Sequence, residues 1–170
     1  MTDLIAPMPL STVIAAILGP GLAFVPLKMD SPAARVQLLA TGLQESGFRY
    51  RRQQAGGPAR GFWQFEGGGG TKGVMNHPAT TAIAHDLCSG FGIPWDQSAL
   101  QAELEANDVV ACAMARLLYW TDPRPLPALG DGAAAWDLYL RTWRPGKPRP
   151  ADWPMNYSRA LGAVQGASNG

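Results

Sequence analysis

Apolar positions recur at helical spacing along most of this chain. Val36, Leu39, Ala40 and Leu43 follow Ser31-Pro32, a cap and first-turn pair, and predict a helix that runs to Glu45-Ser46 and stops near Gly47. Pro78 opens a second helix, with Ile83 and Leu87 on one face and Gly90 at its end. Asn107 or Asp108 caps a third, whose stripe is Val109, Val110, Ala113, Met114, Leu117 and Leu118. Ala133–Thr142 and Met155–Val164 read as two more. Between them lie a Gly- and Arg-rich stretch from Phe48 to Arg60, the compact Gly61–Glu66, four glycines at Gly67–Gly70, and Pro-rich loops at Thr121–Asp131 and Arg144–Pro154. Alternation of period two is confined to Phe62–Phe65. The pattern predicts a mainly α single domain over residues 1–165, with a Gly-rich central loop or small hairpin and a frayed tail at 166–170.

The apolar stretch from Leu4 to Leu27 carries no charge after Asp3. It lacks the basic start of a secretory signal, and Pro7, Pro9, Pro20 and Pro26 interrupt the ~20 apolar residues that a membrane helix needs. It is expected to be a short buried helix, Ser11–Leu18, capped by Ser11 and stopped by Gly19-Pro20.

Composition sharpens this picture. Hydrophobic residues make up 46% of 170, enough for a core, while 20 Gly and 15 Pro account for the loops. With 14 Lys+Arg against 13 Asp+Glu, the chain lacks the broad cationic excess of a duplex-coating protein. Its two Cys are too few for a disulfide framework and read as buried thiols in a reducing compartment, with a single bridge as the alternative. Cations do cluster locally, at Arg49, Arg51, Arg52 and Arg60, and again at Arg141, Arg144, Lys147 and Arg149 beside Trp143 and Trp153. Such clusters suit single-stranded nucleic acid, an acidic glycan, or simple solvation around a core; overall neutrality disfavours the first.

Glu45 is the first candidate for chemistry. The negative end of a helix and apolar neighbours both disfavour its carboxylate, so the acid is expected to hold its proton towards neutrality. A glycosidic oxygen needs such a proton donor. A solvated helix-end Glu is the plainer alternative. Gly68 and Gly73 have phosphate-loop spacing, but Lys-Ser/Thr does not follow them. His77, His85 and Cys88 make a poor metal set, because His85-x-x-Cys88 supplies only two ligands.

The run Gln44-Glu45-Ser46-Gly47-Phe48, followed after a basic gap by Gly61-Phe62-Trp63-Gln64-Phe65, resembles the superfamily of lytic transglycosylases and goose-type lysozymes. Gly57–Glu66 is also similar to a set of small phage proteins carrying that domain. The resemblance implies a lysozyme-like fold, Glu45 as the catalytic acid, Ser46 as its hydrogen-bonding neighbour, and Phe62, Trp63 and Gln64 as the wall of a sugar cleft. The superfamily's Ala-Tyr-Asn-Ala-Gly signature is matched in place by Ala135–Gly146, where Tyr139, or second Trp136, stands for the Tyr and no Asn is adjacent. The implied substrate is peptidoglycan, cut between N-acetylmuramic acid and N-acetylglucosamine, with no metal or cofactor.

The second carboxylate decides the reaction type. A hydrolase generally uses two acids, for which Glu66, Asp86 and Asp137 are candidates; a transglycosylase manages with one, because the muramic C6 hydroxyl attacks intramolecularly. One convincing acid favours the transglycosylase slightly. The implied setting is a phage product made in the host cytoplasm and acting on the cell wall, alone or with other virion proteins, not on nucleic acid or membranes. A phage structural or assembly protein keeping the fold as a non-catalytic binding module is the rival.

Overall fold

The computed structural model describes residues 5–168. In chain order its α-helices are α1 (Leu10–Val13), α2 (Gly19–Leu22), α3 (Pro32–Glu45), α4 (Lys72–Asn76), α5 (Thr81–Gly90), α6 (Gln97–Ala106), α7 (Asp108–Trp120), α8 (Gly132–Trp143) and α9 (Trp153–Ser168). A π-helical turn, Ile14–Leu18, joins α1 to α2, and a second, Gly67–Thr71, leads into α4. Among the described residues no strand forms, only isolated bridges pairing Arg60 with Arg52 and with Phe65.

Helix α7 is the centre of the molecule: every residue from Val110 to Tyr119 is buried. Asn107 is its cap, its Oδ1 accepting from the amides of Val109 and Val110. Helix α3 is buried nearly all round, from Val36 to Gln44, as a helix sandwiched between neighbours must be. It packs on α9 and touches α7, while α2 and α6 lean on other faces of α7. A polar knot fastens the layers: Gln37 donates to Tyr119 Oη and to the Ala135 carbonyl, and Thr41 Oγ1 lies 2.5 Å from the same phenol oxygen.

The helices expected at 31–46, 107–120 and 133–142 stand where the pattern put them. Three expectations are corrected. The first helical segment does not stop at Gly19-Pro20 and is not capped by Ser11; it starts after Pro9 and continues through Pro20 to Leu22. Pro20 does not end the segment because it lies in the first turn of α2, where its missing amide leaves no bond unmade, and the Gly19 amide before it reaches back five residues to Ile14. The four glycines enter a helical turn, not a hairpin. The tail is helical through Ser168, while Asn169 and Gly170 lie outside the described residues.

Candidate active site

The C-terminus of α3 is built to present Glu45. Ser46 and Gly47 close the helix with amide bonds back to Gly42 and Leu43, and Gly47 takes the left-handed conformation, φ 63°, that such an ending requires. The chain then folds Phe48 back under the helix, and Gly42 leaves room for its ring, which a Cβ there would overlap. Glu45 is thus largely buried yet opens on a cleft of about 1270 Å³.

Among the described residues the acid has one direct hydrogen-bond partner. Tyr139 Oη donates to Glu45 Oε1 at 2.5 Å. That ring is buried and held by Trp153, stacked at 5.2 Å and 20°, and by Trp136 at 5.2 Å. Burial raises the Glu45 carboxyl to about 7; the Tyr139 hydrogen bond and the nearby Arg149 charge pull it down, and Glu66 pushes it up. Burial and the neighbouring Glu45 also push the Tyr139 phenol up, so this hydroxyl stays a donor. Arg149 and Gln44 anchor the helix end to the loop before α9: Gln44 donates to the Arg149 carbonyl, and the Arg149 guanidinium donates to the Gln44 carbonyl.

The structure sorts the other residues singled out in the sequence. Gln64 and Glu66 line the cleft with Glu45. Gln64 sits at φ 49°, left-handed for a non-glycine residue, with its amide bonded to the Gly61 carbonyl at 2.8 Å. Phe62 and Trp63 are not cleft wall. Both are at most 1% exposed, edge-on to Phe48, and Trp63 Nε1 donates to the Leu38 carbonyl. The turn explains it: reciprocal amide bonds between Arg60 and Phe65 fold Gly61–Gln64 tightly enough to turn both rings into the core. Ser46 also departs from its expected role, bonding the Phe62 carbonyl and the Phe48 amide rather than Glu45. It pins the acid-bearing helix to the turn. Trp136 backs Tyr139 from behind. Asp86 and Asp137 are exposed and away from the cleft.

Two cleft residues, Asp122 and Arg124, went unmarked in the sequence, while Arg141 and Trp143 come from its second basic cluster. Asp122, Arg124 and Arg141 form one ion cluster there, and the ring of Trp143 sits against Tyr119 and Phe65 while Nε1 donates to the Trp63 carbonyl. Burial works against ionising Asp122, but Arg141 and Arg124 prevail and hold it below the usual carboxylate range. These residues follow α7 or end α8, so only the fold brings them to Glu45.

No metal-binding group of three or more His, Cys, Asp or Glu occurs among the described residues. Cys88 and Cys112 are both buried and unpaired. Among the described residues no helix is long and apolar enough to cross a membrane. Compared with protein-family models, curated proteins and solved structures, the chain matches none.

Proposed function

We propose that this protein is a peptidoglycan-degrading glycosidase of lysozyme-like fold that cleaves the β-1,4 bond between N-acetylmuramic acid and N-acetylglucosamine, with Glu45 as general acid. One observation carries the reading: a carboxyl raised to about 7 by burial, bonded by Tyr139, opens on a cleft large enough for several sugar rings. At neutral pH such a group is divided between acid and conjugate base, which suits a residue that must give a proton and take one back.

In the favoured, transglycosylase form, Glu45 protonates the glycosidic oxygen as its bond to the muramic C1 breaks. The C6 hydroxyl of the same sugar then attacks C1 and returns its proton to the Glu45 carboxylate, leaving a 1,6-anhydro end. Tyr139 orients the carboxyl and stabilises its ionised form, and Gln64, its Nε2 held by the Gly61 carbonyl, turns its side-chain oxygen to the sugars. A second form, hydrolysis, has support in Glu66, an exposed carboxylate in the same cleft that could activate water. Asp122 is poorly placed for that task, since two guanidiniums already occupy its oxygens. The setting we infer is a phage product that acts on the bacterial wall.

Clearing of purified murein by wild type and by Glu45→Gln tests the reading. Cleavage by the wild type and its loss in the variant are expected; equal clearing would remove Glu45 as the acid, and no clearing by either would favour the binding-module rival. Mass spectrometry of the fragments separates anhydro ends from the reducing ends of a hydrolase.

A further inference from the structure

Four cations line the cleft: Arg124, Arg141, Arg144 and Lys147. Two share one counter-charge, since the Asp122 carboxylate, 7% exposed, takes Arg141 Nε at 2.5 Å and Arg124 Nε at 3.1 Å. Arg144 and Lys147 form no ion pair among the described residues. Among the described residues the other carboxyls in the lining are Glu66 and Glu45. When Glu45 carries its proton, four positive charges therefore face two negative ones. On the same formal count the rest of the chain balances, 10 Lys+Arg against 10 Asp+Glu.

Arg144 is also held in place. It ends α8 in the left-handed region, φ 51° and ψ 53°, and its Nε donates to the Arg141 carbonyl at 3.3 Å. A non-glycine residue in that conformation costs roughly 1 kcal/mol, and such strain collects at functional sites. Pro145 and Pro148 stiffen the loop that carries Lys147.

A bare polymer of N-acetylated amino sugars would give these cations nothing to pair with. On a peptidoglycan strand, anions come from the peptide stems attached to the muramic lactyl groups. We propose that Arg144 and Lys147 form a carboxylate-binding subsite that takes the free carboxylates of a muramic peptide stem, so that the protein selects stem-bearing, unamidated strands. This rests on the glycosidase reading for its ligand. Arg144 supplies a planar fork that matches a carboxylate, and Lys147 a mobile point charge.

The experiment is calorimetric titration of soluble, uncross-linked disaccharide-peptide oligomers, with stem carboxylates either free or amidated. The titrated proteins are Glu45→Gln, which leaves the ligand uncut, the same protein carrying Arg144→Ala and Lys147→Ala, and the same protein carrying Arg52→Ala as a surface-charge control. Thermal melts confirm that each is folded. The Glu45→Gln protein should bind the free-carboxylate form about 10–100-fold more tightly than the amidated one at low salt, with the preference shrinking as salt is added. Removing Arg144 and Lys147 should bring it within about twofold, while Arg52→Ala should leave it unchanged. Equal affinity for both forms, a preference that survives the double substitution, or binding of neither form overturns the subsite. Wild-type cleavage without a preference sinks the subsite and leaves the glycosidase reading standing. A preference without any cleavage does the reverse.

Discussion

Arg51, Arg52 and Arg60 are met by carboxylates, whereas of Arg124, Arg141, Arg144 and Lys147 only the first two meet one, Asp122. In the first cluster Arg51 forks onto Asp108 at 2.7 and 2.8 Å and lies over the Phe62 ring at 4.2 Å, while Arg52 and Arg60 converge on Glu105. This clamp ties the loop after α3 to the junction of α6 and α7, and so sets the Gly61–Phe65 turn. Its charge is consumed in holding the chain. In the second cluster the charge is left facing a cleft with a proton-bearing acid. Along the chain the runs at 49–60 and 141–149 look alike; their difference lies in which carboxylates, Glu105 and Asp108 or Asp122, the fold brings to them. One region is optimised for stability, and the other withholds it.

The contrast is broken most severely at Glu45. Glu45→Gln should lower murein cleavage by roughly 10²–10⁴-fold, the usual contribution of a general acid. The same change should stabilise the protein near and above neutrality. The sign follows from linkage: the native carboxyl titrates near 7, above its ordinary 4.5, so between those values the native state holds a proton that the unfolded state releases. Stability therefore falls as pH rises through this window. From 4.5 to about 7, at ~1.36 kcal/mol per pH unit, the loss is about 3 kcal/mol. Chemical denaturation across pH 4–8 should show that decline in the wild type and its absence in Glu45→Gln. A flat wild-type curve would mean that Glu45 carries no such burden.

On the other side of the contrast, Trp63→Ala should cost about 3–5 kcal/mol, as truncation of a fully buried aromatic does, with the indole bond to Leu38 also lost. Trp63→Phe, milder and still folded, is the variant for kinetics. Because the ring does not reach the cleft, KM should stay within about twofold of wild type once the folded fraction is matched. A large rise in KM with unchanged stability would return Trp63 to the sugar-binding surface.

How much was legible in advance follows from how local each signal is. Glu45 at a helix end was readable because Ser31-Pro32 and Gly47 mark both ends of α3 within the sequence itself. Tyr139 came only from the resemblance, by its place on a later helix and ahead of Trp136, and it meets the acid. Phe62 and Trp63 were misplaced because their orientation depends on two positive-φ residues, Gly61 and Gln64, and nothing in composition announces a left-handed glutamine. Helix α6 escaped notice because only Leu100 and Leu104 on it are buried, too few for a periodic stripe. Asp122 and Arg124 were invisible as partners of the cleft, since they lie in the loop after α7 and reach it through the fold rather than through spacing.

Activity against pH sharpens the comparison further. The rate should fall as pH rises through about 7, where Glu45 loses its proton. Tyr139→Phe removes a hydrogen bond that favours the carboxylate, so the alkaline limb should move upward while the maximal rate drops. A purely structural tyrosine would lower the rate without moving the limb.

The smallest effect belongs to the clamp. Arg51→Gln removes a two-pronged ion pair in which Arg51 is 40% and Asp108 18% exposed, so solvent already screens it. The cost should be about 1–2 kcal/mol, since a charge-assisted pair is lost and the Asp108 carboxylate is left half-buried at the start of α7, where the helix dipole still favours it. For a chain of this size that is a fall in melting temperature of roughly 2–8 °C. Murein cleavage per folded molecule should change less than twofold at 25 °C, because Arg51 does not line the cleft and Ser46 still pins the turn to α3. If Arg51→Gln lowered cleavage tenfold while the protein stayed folded, the two clusters would not divide stability from chemistry, and the clamp would have to be counted as part of the site.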